Sequence, residues 1–158
     1  MEVDDLFQIG ENIIYPVYGP GIIQAIEQKE FLGKTQQYYV ITMLMSKTQI
    51  MIPADKILTS KIRRVTDITE LKSILDAFQQ KQSYPILPWK QRYKINTDKI
   101  KTGKMKECAE VVRDLMRIKK EKALNTSEKE MLAHAHKFLI SELGLIEGIT
   151  ENQRNVFS

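Results

Sequence analysis

Between residues 6 and 58 the apolar positions fall in short runs, alternating or rich in β-branched and aromatic residues, with turn residues between them. The runs are Asn12 to Tyr15, Ile22 to Glu30, Gln37 to Leu44 and Thr48 to Ile52; the breaks are Pro16 to Gly21, Gly33-Lys34 and Ser46-Lys47. Segments of this length and spacing predict an antiparallel sheet, and five strands suffice for a small closed barrel of the SH3 or Tudor kind. Past Arg64 the period changes to that of helices, with few glycines and frequent Leu, Ala, Lys and Glu. The chain therefore reads as α+β: a β-barrel domain over residues 1–64 and an all-helical domain over residues 65–158.

The helical half divides at its own signals. Asp67-x-x-Glu70 is a capping pair that opens a helix carrying Leu71, Ile74, Leu75 and Phe78 on one face. Polar Gln79 to Ser83 then interrupts the pattern before Pro85 and Pro88. Pro88 suits the first turn of a second helix, in which Trp89, Arg92 and Tyr93 share a side at i, i+3 and i+4 while Lys94 leans away. Gly103 separates this helix from one over Lys104 to Lys120, with Cys108, Val111, Val112, Leu115 and Ile118 as its core face. Ser127-x-x-Glu130 has the form of a capping box opening a further helix through Leu132, Ala135, Phe138, Leu139 and Leu143, ended near Gly144 and Gly148. A short terminal helix fits Thr150 to Asn155.

Charge changes the picture in one place. From Lys81 to Lys106 eight bases stand against Asp98 alone, a local net of +7 in a chain whose total is +4. Residues 1 to 62 hold seven acids and five bases, so the halves differ in sign as well as in period. Such asymmetry points to two modules with different partners. The only tryptophan, Trp89, lies at the centre of the basic stretch, in Pro88-Trp89-Lys90-Gln91-Arg92-Tyr93-Lys94. An aromatic ring among cations at helical spacing can grip phosphates and press an apolar face against a base step. Large aromatics also serve as packing residues, and a lysine run is often a solvated face. The charge excess favours nucleic acid over packing alone.

Other chemistry is not signalled. Gly33-Lys34-Thr35 lacks the earlier glycine of a phosphate-binding loop, since position 28 is Gln28. His134 and His136 are two apart, not the four that would turn both to one metal. Glu107 and Glu110 lie among lysines as ordinary surface partners. Cys108 is the single cysteine, which excludes an internal disulfide, and its place in an apolar face reads as a small buried hydrophobe. No enzymatic activity, metal or cofactor is expected. The acidic N-terminus leads into no secretory h-region, and no apolar run is long enough to cross a bilayer. A cytoplasmic location follows as the expectation.

Several ordered motifs then coincide: Phe7-x-Ile-Gly-Glu-x-Ile-Ile-Tyr15-Pro16-x-x-Gly19, Tyr38-Tyr-Val with Ile52-Pro53, Trp89-x-x-Arg92-Tyr93-Lys94, Ala109-Glu-Val-Val-Arg-Asp-Leu115 and Ser127-x-Glu-Lys-x-Met-Leu-Ala133. Across nearly its whole length the chain resembles the CarD and CdnL bacterial transcription regulators, whose N-terminal module is shared with the transcription-repair coupling factor. The resemblance implies an N-terminal barrel that binds the β subunit of RNA polymerase, partly strand to strand, and a helical domain that contacts promoter DNA. It assigns the polymerase side to Lys29, Tyr39, Ile41, Met51 and Pro53, and the DNA side to Trp89, Lys90, Arg92, Tyr93 and Lys94. Trp89 would wedge into the minor groove at the upstream edge of the transcription bubble. Lys90 and Gln91 stand where members vary, and Gln91 replaces a residue that is often arginine. Lys29 and Met51 also stand where arginine is common; lysine there keeps the charge and loses the planar fork of a guanidinium.

A ring stacked at a melted step contributes about 1 to 3 kcal/mol. At roughly 1.4 kcal/mol per tenfold, that would lengthen an open complex's lifetime from several-fold to about a hundredfold. The lysines would orient the wedge without reading sequence. The expected partners are RNA polymerase and promoter DNA, with no membrane and a monomeric chain. The rival reading is a protein-binding adaptor on polymerase with no DNA wedge, and a weaker third is an RNA-binding barrel protein.

Overall fold

The computed structural model describes residues 7–80 and 85–158; Met1 to Asp5 at the acidic N-terminus and Lys81 to Ser83 in the polar break lie outside them. Contacts divide the chain into two units, Met1–Val65 and Thr66–Ser158.

The first unit is an antiparallel sheet of five strands: β1 (Asn12–Tyr15), β2 (Gly19–Phe31), β3 (Lys34–Met43), β4 (Gln49–Pro53) and β5 (Arg63–Arg64), in the order β4-β3-β2-β1-β5. Alternation along the strands sends Ile13, Ile23, Tyr39, Ile41, Met43 and Ile52 into one core, closed by Phe7, Ala54 and Ile57. Phe7 meets Tyr39 edge-on at 6.3 Å, and the Arg64 guanidinium lies 5.0 Å from the Phe7 ring centre while its Nε donates to Glu11 at 2.9 Å. Gly21 faces Met43 across the β2–β3 pair, where an added Cβ would come within 2.8 Å of the Ile41 side chain.

The expected closed barrel is corrected to an open sheet. β4 and β5 are its outer strands, and among the described residues no pairing joins them. β5 has two residues, set against Ile13 and Ile14, too few to carry the sheet round to β4. β2 and β3 instead run on past their neighbours, with pairing continuing to Phe31↔Lys34 while β4 stops opposite Tyr38. The same alternation places Tyr39 and Ile41, expected on the polymerase side, as fully buried core residues on the inner strand β3.

The second unit is helical: α1 (Ile68–Gln79), α2 (Trp89–Lys101), α3 (Met105–Glu121), α4 (Thr126–Leu143) and a single turn, α5 (Glu151–Arg154). Asp67 caps α1 by accepting from the Glu70 N–H at 2.8 Å. α3 packs against α1, α2 and α4 and buries Cys108, Val111, Val112, Leu115 and Ile118, with Met105 and Ala109 added. The Cys108 thiol donates to the Ala135 carbonyl at 3.3 Å. α4 begins earlier than the Ser127 reading: its cap is Asn125, whose side chain accepts from the Glu128 N–H at 2.8 Å, while Ser127 and Glu130 are exposed within the helix. Asparagine is among the strongest N-caps, and its position lets the helix bury Glu128 rather than present it. At the other end of α4 buried Glu142 accepts from the Thr66 N–H (2.9 Å) and hydroxyl (2.7 Å). Phe157 is buried edge-on against Phe78, and its carbonyl lies 2.8 Å from His136 Nε2. No helix among the described residues is long and apolar enough to cross a membrane.

Candidate nucleic-acid interface

α2 starts directly after Pro88, which is its cap and not part of its first turn. Pro88 holds φ −52 and ψ 144, outside the helical region, and the helix opens at the next residue, which puts Trp89 at its first position. A side chain there projects from the helix end instead of being roofed by a preceding turn. Trp89 is 45% exposed, with its ring edge-on to Tyr93 at 6.2 Å, so one partner braces it and much of the indole remains in solvent. Lys90 beside it is exposed. Lys94 is exposed and pairs with Asp98 one turn on at 3.1 Å, a solvated i,i+4 contact weak enough to be exchanged for a phosphate.

Arg92 does something else. Although spacing places it on the Trp89 side, its guanidinium is buried: Nε and Nη2 each donate at 2.7 Å to the two carboxylate oxygens of Glu128, and Nη1 donates to the Leu87 carbonyl at 3.0 Å. The paired side chains are 8% and 0% exposed. The hydrogen bonds to Glu128 are the main cause that raises the Arg92 pKa above the ordinary arginine range, with burial opposing and the charges of Glu128 and Asp114 assisting. A raised value keeps the pair charged on the arginine side at every pH below that range. Arg92, expected among the DNA contacts, thus lies inside the unit, where it ties the α2 entry, Leu87 to Trp89, to the start of α4. Asn96 continues the internal face, donating to Asp114 on α3 at 3.3 Å.

This tie brings together residues that spacing alone kept apart. An open groove runs from Trp89 along Leu87 and Pro88 to Lys122, Thr126 and Ser127, in the α3–α4 connection and the first turn of α4. Lys122 and the two hydroxyl residues were not foreseen, since over thirty positions separate them from the tryptophan and no local pattern links them. The platform so formed has an exposed aromatic plane and basic residues on its rim.

The remaining assigned residues lie in the sheet unit. Lys29 is exposed on β2 and pairs loosely with Glu27 at 3.5 Å; Met51 is 44% exposed on the outer strand β4, and Pro53 at its end is half-buried. These three are accessible, in contrast to Tyr39 and Ile41.

The profile described as CarD, C-terminal domain, matches residues 73–157, more than half of the chain. The chain belongs to the CarD family. A second profile, CarD-like/TRCF RID domain, matches residues 7–66 of this CarD-family chain, the whole sheet unit as described. It is 65% identical over 152 residues to YdeB of Bacillus subtilis (strain 168), a protein provisionally named a transcription factor; the alignment covers 96% of this chain and 99% of YdeB. The CarD assignment accounts for both units at once, and with the YdeB likeness it supports a role in transcription regulation.

Proposed function

We propose that the protein regulates transcription by binding the β subunit of RNA polymerase through its N-terminal sheet and stabilising the open promoter complex with Trp89. The indole enters the minor groove at the upstream edge of the bubble and replaces a stacking partner lost on melting. Lys90 and Lys94 contact phosphates without reading sequence, and Tyr93 braces the ring from behind. Lys29, Met51 and Pro53 form the polymerase side. Arg92 holds the wedge in place from inside the unit and touches no DNA.

The observation that carries this reading is the exposure of Trp89 at the first residue of a helix whose lysines Lys90 and Lys94 are also exposed. A tryptophan kept only for packing would bury its ring, and a buried polar strut would not be needed to fix the segment that presents it. Membership of the CarD family supports the transcriptional setting, and the RID-domain match supports an interaction with RNA polymerase.

The test is open-complex lifetime on a ribosomal-type promoter with the cognate polymerase, comparing no factor, wild type and Trp89→Ala. Stacking of about 1 to 3 kcal/mol predicts that wild type lengthens the lifetime and the substitution removes most of the gain. Equal lifetimes with wild type and a folded Trp89→Ala protein would leave the adaptor reading in its place.

A further inference from the structure

The most exposed large hydrophobic side chains among the described residues are adjacent: Phe31, 71% exposed, and Leu32, 87% exposed, at the tip of the β2–β3 hairpin. The tip stands clear of the sheet. Four residue pairs, from Gln28↔Gln37 to Phe31↔Lys34, lie beyond the last pairing of β3 with β4, and β1 leaves β2 earlier still, at Ile22. At about 3.4 Å per residue the arm projects on the order of 14 Å. Its root is held, because Gln36 Nε2 donates to Asp55 at 2.9 Å.

The turn itself is built against local preference. Leu32 has φ of +52 and Gly33 of +76 between the paired residues Phe31 and Lys34, the two-residue pattern of a type I′ turn. The first position of that turn favours asparagine, aspartate or glycine, because a leucine Cβ crowds the neighbouring carbonyl when φ is positive. So leucine at position 32 costs free energy twice, in backbone strain and in exposed apolar surface, and the described structure returns neither. Strain and exposure kept together mark a site whose compensation comes from a partner.

We propose that Phe31 and Leu32 form an apolar plug that inserts into a pocket on RNA polymerase, anchoring the sheet unit at the end of the arm that carries Lys29, at a point separate from Met51 and Pro53 on β4. The proposal rests on the polymerase-binding reading above. The charges along the arm choose a protein over the other candidates. Glu27, Lys29, Glu30 and Lys34 alternate in sign, which gives no positive field for a nucleic acid or an anionic bilayer. They suit the mixed polar rim that surrounds an apolar anchor at a protein interface.

The experiment measures the affinity of the full chain for the cognate core polymerase with wild type, Leu32→Asn and Phe31→Thr, beside the thermal midpoint of each. Leu32→Asn supplies the residue the turn prefers, so it should melt at or above wild type while binding about tenfold more weakly, the usual loss for a truncated anchor. Phe31→Thr keeps a strand-forming residue and should weaken binding similarly. Unchanged affinity in both variants, with wild type binding, would overturn the plug and leave the polymerase reading standing. A wild type that does not bind polymerase at all would overturn that reading, and the plug with it. A lower midpoint for Leu32→Asn would overturn the strain argument. Co-sedimentation with vesicles of phosphatidylcholine and phosphatidylglycerol closes the remaining route: binding of wild type that both variants lose, at constant polymerase affinity, would make the tip a membrane anchor instead.

Discussion

Arg92 on α2 and Glu128 on α4 meet in a two-pronged ion pair with both bonds at 2.7 Å, almost entirely out of solvent. Such a pair gains little over a well-packed apolar replacement, because desolvation offsets the attraction, but loss of one member strands the other charge. Arg92→Met is therefore expected to destabilise the helical unit by about 3 to 5 kcal/mol, and Glu128→Leu by a comparable amount. The double variant should recover most of the loss. Trp89 is the single tryptophan, so its fluorescence during urea unfolding follows this unit, and additive losses in the double variant would refute the pairing argument.

The start of α4 can be tested with two neighbouring polar residues. Asn125→Ala removes the acceptor for the Glu128 N–H and should cost about 1 kcal/mol. Ser127→Ala, at the position the sequence pattern favoured as the cap, should cost within about 0.5 kcal/mol of nothing, as surface changes do. Chemical denaturation of both variants decides between the two positions; a reversed order would restore the Ser127 cap.

In the sheet unit the tightest backbone approach is at Gly21. A methyl there would sit 2.8 Å from Ile41, 3.0 Å from the Met43 sulfur and 3.2 Å from the Thr42 carbonyl, with side chains on two sides and backbone on the third. Gly21→Ala should destabilise the sheet by about 1 to 3 kcal/mol through overpacking. Gly10→Ala, where an added Cβ meets nothing, isolates the separate cost of φ +89. The far-ultraviolet β signal on heating distinguishes them, and a Gly21→Ala protein as stable as wild type would mean that Ile41 and Met43 can move aside.

What was legible in the sequence was what repeats locally. The core face of α3 follows from a 3.6-residue period, and every residue it named is buried. The Asp67 cap follows from a three-residue spacing. Period two likewise marked the strands but not whether they close, because closure depends on how long β5 is and where it lands. It grouped Tyr39 with Ile41 but gave no sign of which face is inner. Arg92 is the clearest case: helical spacing puts it beside Trp89, and its burial depends on a glutamate 36 residues away. The exposure of Trp89 comes from the proline before it, and the groove to Lys122 from the packing of α2 against α3 and its ion pair to α4.

The division of labour along α2 gives a last prediction, read from salt dependence. Each lysine that neutralises a phosphate contributes a slope of about 0.9 to the fall of log affinity with log salt on duplex DNA. Lys90→Gln and Lys94→Gln should each lower the slope by about that amount and weaken binding to all sequences alike. Gln91 is exposed between Lys90 and Arg92, so Gln91→Arg should raise the slope by a similar step. Arg92→Lys should leave the slope unchanged at temperatures where the unit stays folded, because that charge faces Glu128 and not solvent. Fluorescence anisotropy on one duplex over a salt series measures all four. A slope that drops with Arg92→Lys and not with the lysine variants would mean that the buried pair opens to bind DNA, and the positioning role assigned to Arg92 would fail.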